Sequence, residues 1–342
     1  MVAYTGIQGQ NILIVSSDPA NPVEGQIWYN TTSNLLKGYQ NVVVSAAWAS
    51  GGSLNTARYG SYIFGTQTAA IAAGGVISFP TTTGATESYN GTSWTTTPAT
   101  LSNPSIFGGA SAGTQTAGLA FGGYTGNPPF DSDVSDSYNG TAWTSTSPLN
   151  TSRTYLAGCG IQTAALAYGG QTGASGTPQN ASESYNGSSW TTTSSLVNSN
   201  RAMKGAGTQT AALSFGGYVV ATTESYNGTS WTSLPGTADL GTNSPDTKRR
   251  YMAGFGTQTA AVAAGGTIGP YTTPTVATTN VWNGSVWTTN PTGLNTARRY
   301  LGGCGTQTAG LAVGGYTTAS TGATEEWTGP STSLQTRTIT TS

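Results

Sequence analysis

The string Gly-Thr-Gln-Thr-Ala recurs through the 342-residue chain, beginning at Gly65, Gly113, Gly160 (with Ile161 for Thr), Gly207, Gly256 and Gly305. The spacings are 48, 47, 47, 49 and 49 residues. Each copy runs into an apolar stretch that ends in a glycine pair: Gly74-Gly75, Gly122-Gly123, Gly169-Gly170, Gly216-Gly217, Gly265-Gly266 and Gly314-Gly315. A loop of variable length follows, and then a second signature. This is Glu-Ser-Tyr-Asn-Gly-Thr-Ser-Trp at 87–94, with close copies at 136–143, 183–190 and 224–231, a looser one at 280–287 and a truncated one at 325–329. A period of this length confines the chain to architectures that repeat one supersecondary unit, since such a unit buries its apolar face only against a neighbour.

Each unit reads as four strands. Strand a precedes Gly-Thr-Gln-Thr, strand b is the Ala-rich run into the glycine pair, strand c carries the Tyr and strand d the Trp. Asn-Gly between c and d predicts a two-residue type I′ hairpin. Charged residues make up 7% of the chain, against a typical ~25%, yet nine Trp and 17 Tyr exclude a disordered polar tract. The 11 bases and 12 acids nearly cancel, which argues against a nucleic-acid surface. No run approaches the ~20 apolar residues of a membrane-spanning helix. The N-terminal stretch lacks the basic and apolar regions of a signal peptide.

In these residues the chain resembles the kelch family: a glycine pair closing strand b, Tyr on c, Trp on d and Arg ahead of a, over residues 43–328. The resemblance implies an all-β, six-bladed kelch-like β-propeller at 43–342, with a short N-terminal β-hairpin extension at 1–42. Trp48 stands ahead of Leu54-Asn55-Thr56-Ala57-Arg58 as Trp287 stands ahead of Leu294-Asn295-Thr296-Ala297-Arg298. It therefore reads as a d-strand that completes the last repeat, with residues 334–341 an extra strand or a tail; in the rival reading this tail supplies strand d itself. The segment Gly25-Gln26-Ile27-Trp28-Tyr29-Asn30-Thr31-Thr32 with Leu35-Leu36-Lys37 reads as a hairpin and resembles N-terminal segments of bacteriophage tail-fibre and other virion appendage proteins. That likeness implies a virion location, attachment to other virion proteins through the extension, and adhesion to a host surface glycan or protein. The alternatives are a purely structural cement protein and a glycan-cleaving propeller enzyme.

Enzyme chemistry has little to build on. The chain has no histidine, which removes a galactose-oxidase-like copper site, and neither a metal nor any other cofactor is expected. Asp131 and Asp133 form the one close carboxylate pair in a long loop and read as solvated. Cys159 and Cys304 occupy equivalent places in the third and sixth repeats and read as free thiols. Gln67, Gln115, Gln162, Gln209, Gln258 and Gln307, in the a–b turns, read as backbone clamps within the turn or onto the next blade. The b–c loops vary most, and loops on a rigid scaffold carry specificity. Tyr124, Phe130, Asp131, Asp133, Tyr271 and Tyr316 on that rim are the candidate ligand-binding residues. Finally, arginine precedes strand a and an acid opens strand c in most repeats. This predicts rim ion pairs Arg58–Glu87, Arg153–Glu183, Arg201–Glu224 and Arg298–Glu325, with the second repeat (Asp136, no arginine) and the fifth (arginine, Asn280) as controls.

Overall fold

The computed structural model describes residues 12–102, 107–126, 130–235, 240, 248–269 and 274–340. Among these, all regular structure is β-strand and no helix occurs. The chain divides into two compact units, residues 47–328 and residues 1–46 with 329–342.

In the smaller unit, Leu13–Val15 lies parallel to Ile27–Asn30, which pairs antiparallel with Leu35–Val44. The last strand, Ser331–Thr338, runs along Leu35–Val44 from Thr338 opposite Lys37 to Ser331 opposite Val44. This corrects the boundary drawn from the sequence: residues 43–46 and 329–342 lie outside the repeat unit. A Thr-rich, strand-forming segment finds the free edge of a ten-residue strand, so it neither trails nor closes the last repeat. Trp28 is fully buried. Its indole N–H donates to Asp18, which also accepts from Asn30 and Lys37. The Lys37 contact foremost, then Asn30 and Trp28, holds the Asp18 carboxyl down at about 2.

The larger unit holds six antiparallel four-stranded sheets, each in the order a-b-c-d. The first comprises Tyr62–Thr66, Ala69–Ala73, Ala85–Tyr89 and Trp94–Thr100. The sixth comprises Gly302–Gly305, Ala309–Val313 and Thr324–Thr328, and its fourth strand is Ala47–Ser50. Trp48 stands opposite Trp327 in that ladder. The a-strands touch in cyclic order: Tyr62–Thr66 meets Ala110–Thr114, then Ala157–Ile161, Lys204–Gly207, Ala253–Gly256 and Gly302–Gly305, which meets Tyr62–Thr66 again. All six line one central cavity of about 110 Å³.

Two series of hydrogen bonds join each sheet to the one before it, and a third spans four of the six junctions. The amide of Gln115 donates to the carbonyls of Ala70 and Tyr89, and Gln162, Gln209, Gln258 and Gln307 repeat this one sheet on. Gln67 returns to the sixth sheet, at Gly310 and Trp327. The glutamines thus clamp the preceding sheet, not the following one. Each d-strand Trp donates its indole N–H to a hydroxyl of the preceding sheet, on strand c or, for Thr223, just ahead of it: Trp94 to Thr324, Trp143 to Thr86, Trp190 to Ser135, Trp231 to Ser182, Trp287 to Thr223 and Trp48 to Thr279. Third, just ahead of the a-strands, Gly60 N–H donates to Tyr300 O, Tyr300 to Tyr251, Tyr251 to Ala202 and Ala202 to Tyr155. These donors and acceptors have left-handed backbones, φ +55° to +70°.

Burial of indole and phenol rings between sheets supplies the main cohesion, roughly 4–6 kcal/mol gross per ring at ~25 cal/mol/Å². The sheets approach closely where glycine faces an aromatic: a Cβ on Gly205 would stand 1.7 Å from the Tyr168 hydroxyl. The c–d turns differ from the two-residue type I′ expected of Asn-Gly. Tyr89 pairs with Trp94 across a four-residue turn. Gly91 is left-handed but Asn90 is not; instead the Asn90 carboxamide oxygen accepts from the amides of Thr92 and Ser93. An Asx turn needs asparagine for its side chain rather than its backbone. Both cysteines are free and buried, and burial pushes their thiols up to about 12.

Candidate functional site

The arginines ahead of strand a and the acids opening strand c sort by sheet. Arg58 bonds Glu87, Arg153 bonds Glu183 at 2.8 Å and Arg298 bonds Glu325 at 2.8 Å. These three pairs are buried, not on the rim as expected, since each guanidinium turns down between strands b and c. Arg153, for instance, also donates to the carbonyls of Gly169, in the glycine pair, and Ala181, ahead of strand c. The carboxylates accept connector amides as well: Asn55 and Thr56 on Glu87, Asn150 on Glu183, Asn295 on Glu325.

Arg201–Glu224 does not form. The expected pair was one residue out of register: Asn200 occupies the buried place and donates to Gly216 O and Val220 O. Arg201 turns outward to Gln171 and Gly176 O and stacks over Tyr218 at 4.3 Å. Glu224 accepts from the amides of Val197 and Asn198 and from the Asn198 side chain. In the second sheet Asp136 takes the amide and hydroxyl of Ser102 and the hydroxyl of Ser145. In the fifth, Arg249 donates to Asn280 and the carbonyls of Thr278 and Ala263. With no carboxylate beside it among the described residues, burial lowers the Arg249 guanidinium to about 9.

The rim bearing the b–c loops carries a belt of rings. Phe130 stacks parallel on Tyr124 (5.6 Å, 5°), and Tyr124 meets Phe107 at 5.1 Å. Phe107 leads to Tyr59 at 6.3 Å, and Tyr59 to Tyr316 at 5.2 Å, over which the Arg299 guanidinium lies at 4.8 Å. An inner set, Tyr155, Tyr251 and Tyr300, joins Phe107 and Tyr59 around the channel mouth. Arg250 adds a second guanidinium over Tyr218, at 4.6 Å. Burial pushes the Tyr59, Tyr155, Tyr251 and Tyr300 phenols up and the Arg250 guanidinium down. Between the sixth and first sheets the belt opens into a groove of about 550 Å³ lined by Tyr59, Phe79, Arg299, Tyr316 and Ser320, where Phe79 is 65% exposed.

Of the candidate ligand residues, Tyr124, Phe130 and Tyr316 therefore join one surface. Tyr271 lies outside the described residues. Asp131 is buried rather than solvated: one carboxylate oxygen accepts the Gly173 amide, the other has no partner among the described residues, and burial raises the acid. Asp133 beside it in sequence is half-buried. Sequence reading missed Tyr59, Phe107, Tyr155, Tyr251 and Tyr300. Their signal was the aromatic that recurs just before strand a in five of the six repeats, which passed as repeat framework. No protein-family model matches the chain, and no curated protein matches it.

Proposed function

We propose that the chain is a phage virion appendage whose larger unit is a six-bladed kelch-like propeller that adheres to a host surface glycan or protein without turning it over. The smaller unit is then the segment that attaches to other virion proteins. The observation that carries adhesion is the belt from Phe130 to Arg299. It joins two of the variable b–c loops, through Tyr124, Phe130 and Tyr316, with three connectors ahead of strand a, through Tyr59, Phe107 and Arg299, into one aromatic surface with guanidinium groups lying on it, and sugars and protein surfaces both bind to flat rings edged by donors. The cyclic run of a-strands and the three sheet-to-sheet hydrogen-bond series support the six-bladed reading. The test is binding of the full chain to a panel of bacterial surface polysaccharides and intact cells. Tyr124→Ala with Phe130→Ala and Tyr316→Ala should weaken capture at least tenfold while leaving the melting curve intact. Undiminished capture places the contact elsewhere and favours a cement role. Release of shortened polysaccharide overturns the binding-only reading.

A further inference from the structure

Lys204 opens the a-strand of the fourth sheet, opposite Phe215 in its ladder. The same place in the other sheets holds Tyr62, Ala110, Ala157, Ala253 and Gly302, opposite Ala73, Phe121, Tyr168, Ala264 and Val313. Five repeats thus put an apolar side chain or none into this layer, and one puts an ammonium there. Lys204 lines two adjoining cavities on the channel axis, of about 40 and 50 Å³. Neither is lined by an acid. Among the described residues Lys204 makes no ion pair, and no ring lies under its ammonium.

The upper cavity has a lid. Tyr155, Tyr251 and Tyr300 line it from positions with φ +55°, +56° and +55°. The first two repeats place Gly60 and Gly108 at that turn, as the conformation favours. A bulky residue in the left-handed region is costly, of order 1–3 kcal/mol, and such outliers gather at ligand clamps. Half of the repeats put a tyrosine at this turn, with Ala202 in the fourth, and the three tyrosines meet at the cavity that the one lysine of the a-strand layer also lines.

We infer that this cavity is a binding site for a small oxyanion of carboxylate or phosphate type, held by the Lys204 ammonium beneath the Tyr155–Tyr251–Tyr300 lid. A cavity of 40 Å³ takes roughly three waters, which is the size of a small anion and too little for a chain segment. Lys204 is half-buried, and an ammonium partly withdrawn from water with no acid lining its cavity gains from an anion seated there. Burial lowers the Lys204 amine to about 8. The ligand therefore binds more weakly as pH rises through that value.

The chain has three lysines, Lys37, Lys204 and Lys248, so reductive ¹³C-methylation of the full chain, which keeps the charge, yields a readable NMR spectrum. Acetate and inorganic phosphate are titrated separately at pH 7 and fixed ionic strength. The Lys204 methyl signal should move saturably with at least one of them, and its titration midpoint should rise by about a unit when that anion is saturating. Lys37 and Lys248 should move little and without saturation. Lys204→Ala, the residue of three sister repeats, assigns the signal; if that variant does not fold, Lys37→Arg and Lys248→Arg assign it by elimination. A Lys204 signal that stays still, or drifts linearly like the other two, overturns the site.

Discussion

In the third sheet the carboxylate of Glu183 takes both a guanidinium and a connector amide, while in the fourth Glu224 takes two connector amides and the side chain of Asn198. The buried place that Arg153 fills in one is filled by Asn200 in the other, and both reach a carbonyl of the glycine pair and one beyond it. What the two sheets share is the tying of strand c and strand b to the incoming connector. The full charge pair is one way of doing this. The difference teaches that the acid's constant partner is the connector backbone, and that the cation is replaceable where a shorter donor covers the carbonyls.

The sharpest way to break this comparison is to remove one arm of the buried pair. Arg153→Ala leaves the Glu183 charge buried without its cation and should cost about 3–5 kcal/mol in denaturant unfolding. Arg201→Ala, on the rim, should cost under about 1 kcal/mol. Equal losses would mean that the neighbouring arginines are not distinguished by depth. A smaller effect sharpens it: Arg153→Asn transplants the fourth sheet's solution, keeps donors for the carbonyls, and should cost about 2 kcal/mol. If it costs as much as alanine, the cation itself and not the bridging is what the third sheet needs. The smallest effect concerns Asp131. Its acid is raised by burial, so the folded state holds the proton more tightly than the unfolded chain. That stabilising contribution is complete at low pH and is lost as pH rises through the folded value. Asp131→Asn should therefore raise the melting temperature slightly at pH 7 and change it little near about pH 3, where the acid is protonated in both states. A drop at pH 7 would make the ionised carboxylate a structural acceptor.

Much of the repeat was legible because its markers are obligatory: a glycine pair at left-handed φ, a Trp whose N–H needs a partner, and Trp48 placed like its repeats. Depth was not legible. Asn200 and Arg201 are adjacent in an irregular connector, where no period of two or 3.6 tells inward from outward, so Arg201 was matched to Glu224 and Asn200 overlooked. Asn-Gly was misread because asparagine serves turns in two ways, by backbone and by side chain. The aromatic belt escaped because its members come from five separate connectors and meet only when the sheets circle.

Trp48 pairs with Trp327 across roughly 280 residues of chain. At a synthesis rate of about 5–20 residues per second, strand Ala47–Ser50 emerges from the ribosome some 14–56 s before its partner exists. During that interval five sheets can assemble in order, but the sixth site has no occupant, and the edge of Ala47–Ser50 stays open to other strands, including those of neighbouring nascent chains. The junction is therefore a late timing gate in biosynthesis, and crowding many copies onto one messenger is where mispairing between chains would enter.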